Sequence, residues 1–441
     1  MLARILKPIP GALPGARASV ALLLAINLLN YVDRYVLAAV EPLIRAEFFP
    51  EGAAGSENAQ SKMGLLATAF LVTYMIAAPV FGWLADRWSR WLIIGGGVLF
   101  WSLASGGSGI AQVFWVMLMM RVCVGIGEAA YGPAAPTLIA DLYPVERRGQ
   151  VLAWFYVAIP VGSAMGYVLG GMMANAFSWH WAFIVTLPPG VLLGVLCFLR
   201  REPPRGGAER VTPVKRGASW ADYRSLLRTR SYVLNVAAMT AFTFAIGGIA
   251  FWAPSYFYDQ RGFFLEEGKA GLNKVSTIFG GIMIVSGLLA TLFGGWLADR
   301  LRARVRGSYF VVSGVGMLLS VPFFLGTLYL AKWPAFACMA AAIFFLFVST
   351  GPTNTALANV SRPGVRATAF ALCIFIIHAL GDAISPPLIG LVSDVTKSAE
   401  HPKGNMTLAF LSLSGFIGLA GVLWLVGARR LDEDTKRAAG E

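Results

Sequence analysis

The chain has 441 residues, 57% of them hydrophobic and only 13% charged, with a mean hydropathy of +0.66 and a formal net charge of +13. A soluble protein of this length carries about twice that charged fraction, so composition excludes an ordinary soluble globular protein. The apolar residues come in runs of about 20, long enough to span a hydrocarbon core. Strand-like alternation is absent, and lipid permits only helices or a closed barrel to cross it. The expected fold class is therefore an all-α membrane protein.

Twelve spans are predicted. The first, 20–40, follows the basic start "MLARILKPIPGALPGARA". The run is of full span length and lacks a cleavage site, so it reads as a retained first helix rather than a signal peptide. It carries Asp33 and Arg34 side by side in "NLLNYVDRYVLAAV". Span 2, 63–84, leads into the turn "GWLADRWSRW", and span 3 covers 91–111. Span 4, 115–140, holds two further charges, Arg121 and Glu128. Its "GIGEAA" has the look of a dinucleotide turn, but it lies mid-span with no strand before it. Span 5, 150–173, contains Pro160 and glycines at 162, 166, 170 and 171, small residues four apart that let backbones approach closely. Span 8 is equally rich in small residues and is the expected partner of that stripe. Span 6 covers 179–199.

Residues 200–231 are the one long polar interruption, with Pro203–Pro204, Gly206–Gly207 and nine basic residues. They read as a linker, and "SWADYRSLL" within them as a short helix lying on the inner leaflet, with Trp220 and Tyr223 at headgroup level. The domains are then 1–199, the linker 200–231, and 232–441. Span 7, 232–257, is rich in aromatics, among them Phe244, Trp252 and Tyr256. Aromatic walls suit an acyl chain; lipid-facing aromatics are the competing reading. Spans 8 (275–297) and 9 (308–330) flank the turn "GWLADRLRAR". Span 10, 334–358, offers Thr353, Asn354 and, just beyond it, Asn359 as uncharged headgroup contacts. Span 11, 366–390, places His378 and Asp382 at i and i+4. They read either as a second titratable pair or, for Asp382, as a cap on the irregular "GDAISPP". Span 12 is 407–428.

Charge sets the orientation. With both termini on one side, that side holds 26 of the 36 Lys and Arg, the other side 8, and the remaining two are Arg34 and Arg121 within spans. The positive-inside rule puts both termini in the cytoplasm, and a plasma (inner) membrane location is expected. The membrane surface accounts for the high net charge, so no nucleic-acid partner is implied. Cys123, Cys197, Cys338 and Cys373 all fall within spans and read as packing residues. No metal-ligand spacing and no P-loop occur, so neither metal, cofactor nor ATP is expected.

The halves repeat. "GWLADRWSRW" at 82–91 returns as "GWLADRLRAR" at 295–304, and "GPAAPTLIADLYPVERRG" from Gly132 corresponds in position to "GPTNTALANVSRPGVRA" from Gly351. A parallel repeat of six spans is an arrangement of secondary transporters, with the substrate site near the midplane.

The doubled G-x-L-A-D-R-x-x-R turn resembles the signature of the major facilitator superfamily. Within it the chain resembles the Spinster transporters, through "NLLNYVDRYVL", "YMIAAPVFGWLADRWSRW", "RVCVGIGEAAYGPAAPTLIADLYP", "FYVAIPVGSAMGYVLGG", "SWHWAF" and "REPPRG". The short termini and Ala/Gly-rich composition point to a bacterial homologue. The resemblance implies two six-helix bundles working by alternating access. It also implies proton-linked carriage of lysophospholipids or sphingoid phosphates, with spans 1 and 4 lining the cavity. It further implies that Asp86 meets the start of span 11, with Arg87, Arg90 and Asp141 completing a conformational latch and Asp299 and Arg300 forming its second copy.

Four charges inside spans would cost on the order of 10 kcal/mol if they faced lipid, so Asp33, Arg34, Arg121 and Glu128 must pair or face water. Arg121 and Glu128, seven apart, share a helical face. A fixed ion-pair cluster locking spans 1 and 4 together is one reading. Proton coupling is the other, with Asp33 the primary carrier, Glu128 its partner, and Arg34 or Arg121 holding an anionic headgroup, since arginine itself keeps its proton. A carrier of small organic anions or drugs, and a non-transporting scaffold or receptor, are the competing functions. No catalytic constellation supports an enzyme.

Overall fold

The computed structural model describes residues 12–50, 52, 56–205, 220–361, 366–398 and 402–439. Twelve of its helical segments are long and apolar enough to cross a membrane: Ala16–Phe48, Ser56–Ala85, Arg90–Ser108, Phe114–Leu142, Trp154–Ala176, Trp179–Phe198, Arg230–Gln260, Lys269–Leu301, Ser308–Tyr329, Lys332–Asn359, Thr368–Val395 and Met406–Ala438. They coincide with spans 1 to 12. Among the described residues there is no β-strand, and all four cysteines are free.

Helix ends depart from the hydropathy pattern where polar residues find partners. Span 1 runs 33 residues, about 50 Å at 1.5 Å per residue, well beyond the hydrocarbon thickness. Its far end stays helical because Arg45 Nε donates to Glu41 Oε1 at 2.8 Å one turn back, and Trp179 Nε1 donates to Glu47 at 2.7 Å. Span 12 continues as helix to Ala439, 11 residues beyond the expected 428. Asp434 on that extension accepts bonds from Ser231 N–H at 3.0 Å and Ser231 Oγ at 2.6 Å, capping the start of span 7. The linker helix Trp220–Arg228 is present; linker residues 206–219, and the side chains of Trp220 and Tyr223, lie outside the described residues.

Among the described residues, four spans are interrupted. Span 4 breaks between Ala129 and Ala134, and span 10 between Phe347 and Thr350, each beside a Gly-Pro pair, Gly132–Pro133 and Gly351–Pro352. These are the repeated Gly-Pro positions of the two halves. Span 6 restarts at Leu187, with Pro188 and Pro189 in the first turn, where a missing N–H costs nothing. Span 11 passes through a π-helical turn, His378–Asp382, before restarting at Ser385 ahead of Pro386–Pro387.

The chain forms two compact units. Unit 1 comprises Met1–Ala53, Leu65–Val214 and Glu266–Gly280; unit 2 comprises Ala54–Gly64, Lys215–Leu265 and Gly281–Glu441. The first turns of span 8 thus pack with unit 1 and the first turns of span 2 with unit 2. In unit 1, span 1 lies along span 5, Asn27 Nδ2 donates to the Phe155 carbonyl at 2.9 Å, and Tyr131 OH donates to the Leu23 carbonyl at 2.6 Å. In unit 2, Asn235 joins three spans: its Nδ2 donates to the Thr353 carbonyl at 3.1 Å and its Oδ1 accepts from Trp424 Nε1 at 2.8 Å.

The glycines of span 5 face mainly span 1, while the expected close approach of span 8 is made at Gly171 and by Gly280 of span 8, whose Cβ would lie 3.0 Å from the Ala164 carbonyl oxygen. A Cβ on Gly162 would lie 2.6 Å from the Leu28 carbonyl oxygen and one on Gly166 2.6 Å from that of Val32; only Gly171 meets span 8, at Asn273 and Ser276. The obstacles at Gly162 and Gly166 are backbone atoms of span 1, which cannot rotate aside as a side chain can. Gly166→Ala should therefore cost about 1–3 kcal/mol through overpacking and lower Tm, whereas Gly96→Ala, with nothing within 4 Å, should be neutral or raise it. Thermal melts of the two variants check the contrast.

Candidate functional site

Asp33 and Arg34 are consecutive on a helix, so their side chains leave span 1 about 100° apart, and the structure gives them different partners. Arg34 turns to span 4, where its Nε and Nη2 both lie 2.8 Å from Glu128 Oε2. Its guanidinium also lies 4.9 Å from the ring centre of Tyr31, 4.8 Å from Phe70 and 5.3 Å from Tyr74. Three ring faces and one carboxylate thus surround a cation that lipid could not solvate. Its side chain keeps 21% exposure, while that of Glu128 has none.

Asp33 turns to spans 3 and 6. Its Oδ1 accepts a bond from Ser105 Oγ at 2.8 Å, and Thr186 stands beside it. Arg121 donates from Nη2 to Ser108 Oγ at 2.8 Å and lies 5.3 Å from the Phe183 ring. No ion pair within 4 Å joins it to Asp33 or Glu128 among the described residues. Three of the four charged groups are almost fully buried, Asp33 at 1%, Arg121 at 2% and Glu128 at 1% exposure. Two buried atoms, Arg121 Nε and Glu128 Oε1, have no hydrogen-bond partner among the described residues. The cluster therefore balances two acids with two bases while leaving a donor and an acceptor open, which equips it to take up a proton, a water or an anion's oxygen.

At the turn after span 2, Arg90 is 3% exposed. It pairs with Asp141 at 2.5 Å and with Glu202 at 2.6 Å. Glu202 also accepts from Ser89 Oγ at 3.0 Å. Asp86 faces Arg205 at 4.0 Å, both side chains being exposed, and Arg87 lies 4.1 Å over the Trp83 ring while bonding the Trp83 carbonyl. The contact expected of Asp86 falls at the start of span 11, where residues 362–365 and the side chains of Arg366 and Ala367 lie outside the described residues. In the second copy, Asp299 accepts from Tyr309 OH at 2.8 Å, and Arg300 lies 5.5 Å from the Trp296 ring.

Unit 2 carries the remaining candidates. Thr353 is buried and bonds the Ser349 carbonyl at 2.8 Å; Asn354 is exposed and bonds the Thr350 carbonyl at 2.8 Å. Phe244 stacks on Phe416 at 4.1 Å. Trp252 is fully buried, with Nε1 on the Pro386 carbonyl at 2.8 Å, and Tyr256, also fully buried, packs 4.5 Å from Phe410. The surfaces of these three aromatics are taken up by protein. His378 Nδ1 lies 3.0 Å from both Asp382 oxygens within the π-helical turn.

Sequence reasoning assigns no role to Ser105, Ser108, Thr186 or Glu202. The two serines are i and i+3 on span 3, a spacing that puts them on one face, but hydroxyls in apolar helices often bond their own backbone and so leave little signal. Glu202 has a clearer one: an acid in a basic stretch, fixed in direction by Pro203–Pro204.

Known proteins share this architecture. The family model of the Major Facilitator Superfamily matches residues 23–386. Protein spinster homolog 1 of Homo sapiens is 39% identical over 98% of this chain and 84% of that protein. The sphingosine-1-phosphate transporter SPNS2 of Xenopus tropicalis is 36% identical over 96% of this chain and 84% of that protein. A bacterial homolog to the human lysosomal transporter Spinster, solved in an inward-facing and unoccupied conformation, matches in fold with a TM-score of 0.77 at 20% identity, covering 96% of this chain and 97% of that one. The chain belongs to the major facilitator superfamily and is a multi-pass membrane transporter. Within the superfamily it is a Spinster homologue.

The two acids should respond differently to neutralisation. Glu128→Gln removes the carboxylate paired with the partly buried Arg34, a loss of up to about 3 kcal/mol, whereas Asp33→Asn keeps a side chain that can bond Ser105. Glu128→Gln should therefore lower Tm more, and differential scanning fluorimetry of the two variants in one detergent checks the order.

Proposed function

We propose that this protein is a proton-coupled carrier of amphipathic anionic lipids, of lysophospholipid or sphingoid-phosphate type, working by alternating access in the plasma (inner) membrane with both termini cytoplasmic. The carrying observation is the buried cluster of Asp33, Arg34, Arg121 and Glu128. Among the described residues, protonating Asp33 strands no ion-pair partner within 4 Å, so Asp33 is the primary proton carrier. Protonating Glu128 releases Arg34, the most exposed of the four, for an anionic headgroup, and a bidentate guanidinium suits phosphate. The likeness to SPNS2, named as a sphingosine-1-phosphate transporter, supports the lipid class. The excess of Lys and Arg on the termini's side supports the orientation.

In proteoliposomes, Asp33→Asn should abolish proton-driven flux of a lysophospholipid while substrate counterflow continues, with Tm changed by less than about 2 °C. Intact proton-driven flux in this variant overturns the assignment of Asp33. Counterflow of small organic anions but not of lysolipids overturns the substrate class. Labelling of Gly207→Cys from outside intact cells overturns the orientation.

A further inference from the structure

The start of span 2 is held by the end of span 11, both within unit 2. Asp394 is 6% exposed, and its carboxylate takes the Ser61 N–H at 2.8 Å, the Gln60 N–H at 3.4 Å and Ser61 Oγ at 2.9 Å. Those are orphan donors of a helix start, where a carboxylate is favoured by both hydrogen bonding and the helix dipole. One turn on, Lys397 Nζ takes the opposite polarity of the same segment: the Ser56 carbonyl at 3.0 Å and the Glu57 carbonyl at 2.6 Å. It also pairs with Asp394 at 3.0 Å. Gln60 Nε2 donates to the Lys403 carbonyl.

The backbones meet closely beside these bonds. A Cβ on Gly390 would lie 2.5 Å from the Gln60 carbonyl, and one on Gly64 2.5 Å from the Pro387 backbone. Acid on N–H groups, ammonium on carbonyls, and a glycine from each side of the contact make a joint with little side-chain interlock. Such a joint separates without unpacking a core. The span held by it is otherwise lightly buried, 17% of its most apolar window.

We propose that Asp394 and Lys397 form a releasable clamp on the start of span 2, on the membrane side opposite the chain termini, which opens and closes in each transport cycle. This rests on the alternating-access reading above. The test uses purified full-length protein with the four native cysteines replaced and Ala59→Cys, a position 6% exposed, as the reporter of maleimide labelling rate. Asp394→Ala should raise the rate about tenfold, since losing a cap of roughly 1.4 kcal/mol is a factor of ten. Gly390→Ala, which wedges the joint with its charges intact, should raise it likewise. A rise below about threefold in both variants overturns the clamp.

A second arm guards against misfolding. Ser61→Cys/Asp394→Cys, oxidised to a disulfide, should stop counterflow of the lysophospholipid, and reductant should restore it. Full counterflow in the oxidised protein, or failure of the pair to oxidise, overturns the proposal. Absence of lysolipid counterflow in the parent protein would instead count against the substrate class, and the labelling arm, which needs no substrate, would still decide the clamp.

Discussion

A charge inside a hydrocarbon layer has to be neutralised by the protein itself, and span 1 is built around that requirement. Arg34 is surrounded by Glu128 and three aromatic rings, which ties span 1 to spans 2 and 4. Asp33 ties it to span 3 through Ser105. Glycines of span 5 close on its other side. Each neighbour is fixed by a different kind of contact, so span 1 acts as the post on which unit 1 is assembled. The polar atoms left open in the cluster lie at the point where these helices converge.

The spans, the repeat and the family were legible in the sequence because each is written in local patterns: apolar length, a doubled turn, a Gly-Pro pair at matching places. The pairing inside the cluster was not. Asp33 and Arg34 are neighbours in sequence and point apart in space, while Arg121 and Glu128 share a face yet take different partners. Which of several small-residue helices receives the glycines of span 5 depends on three-dimensional packing, and span 1 receives most of them while span 8 meets Gly171. The helical end of span 12 was hidden for a similar reason: "LDEDTKRAA" looks like a solvated tail until Asp434 finds Ser231.

The two halves share a plan and differ in chemistry. Span 4 and span 10 break beside equivalent Gly-Pro pairs, but of these two only span 4 carries buried charges. The turn after span 2 holds a paired network at Arg90, whereas the turn after span 8 holds a Tyr309–Asp299 bond. In span 10 the polar side chains serve the backbone around them, and in span 7 the aromatic rings serve the core. The repeated scaffold has its breaks in both halves and its mid-span ionic cluster in one, while the buried acids of the other, Asp394 and Asp434, sit on helix starts.

Glu202 stands just past the last residue of span 6, yet it supplies one of the two acids around Arg90. The first stretch of the linker, through Arg205, is therefore structurally part of unit 1, bonded back to the Ala85 and Trp88 carbonyls as well. This locates the place where the polypeptide can be divided. Two separately expressed halves parted between Arg205 and Trp220 would leave both acids of the Arg90 network on the fragment that needs them, while a cut just before Glu202 would hand that acid to the wrong fragment.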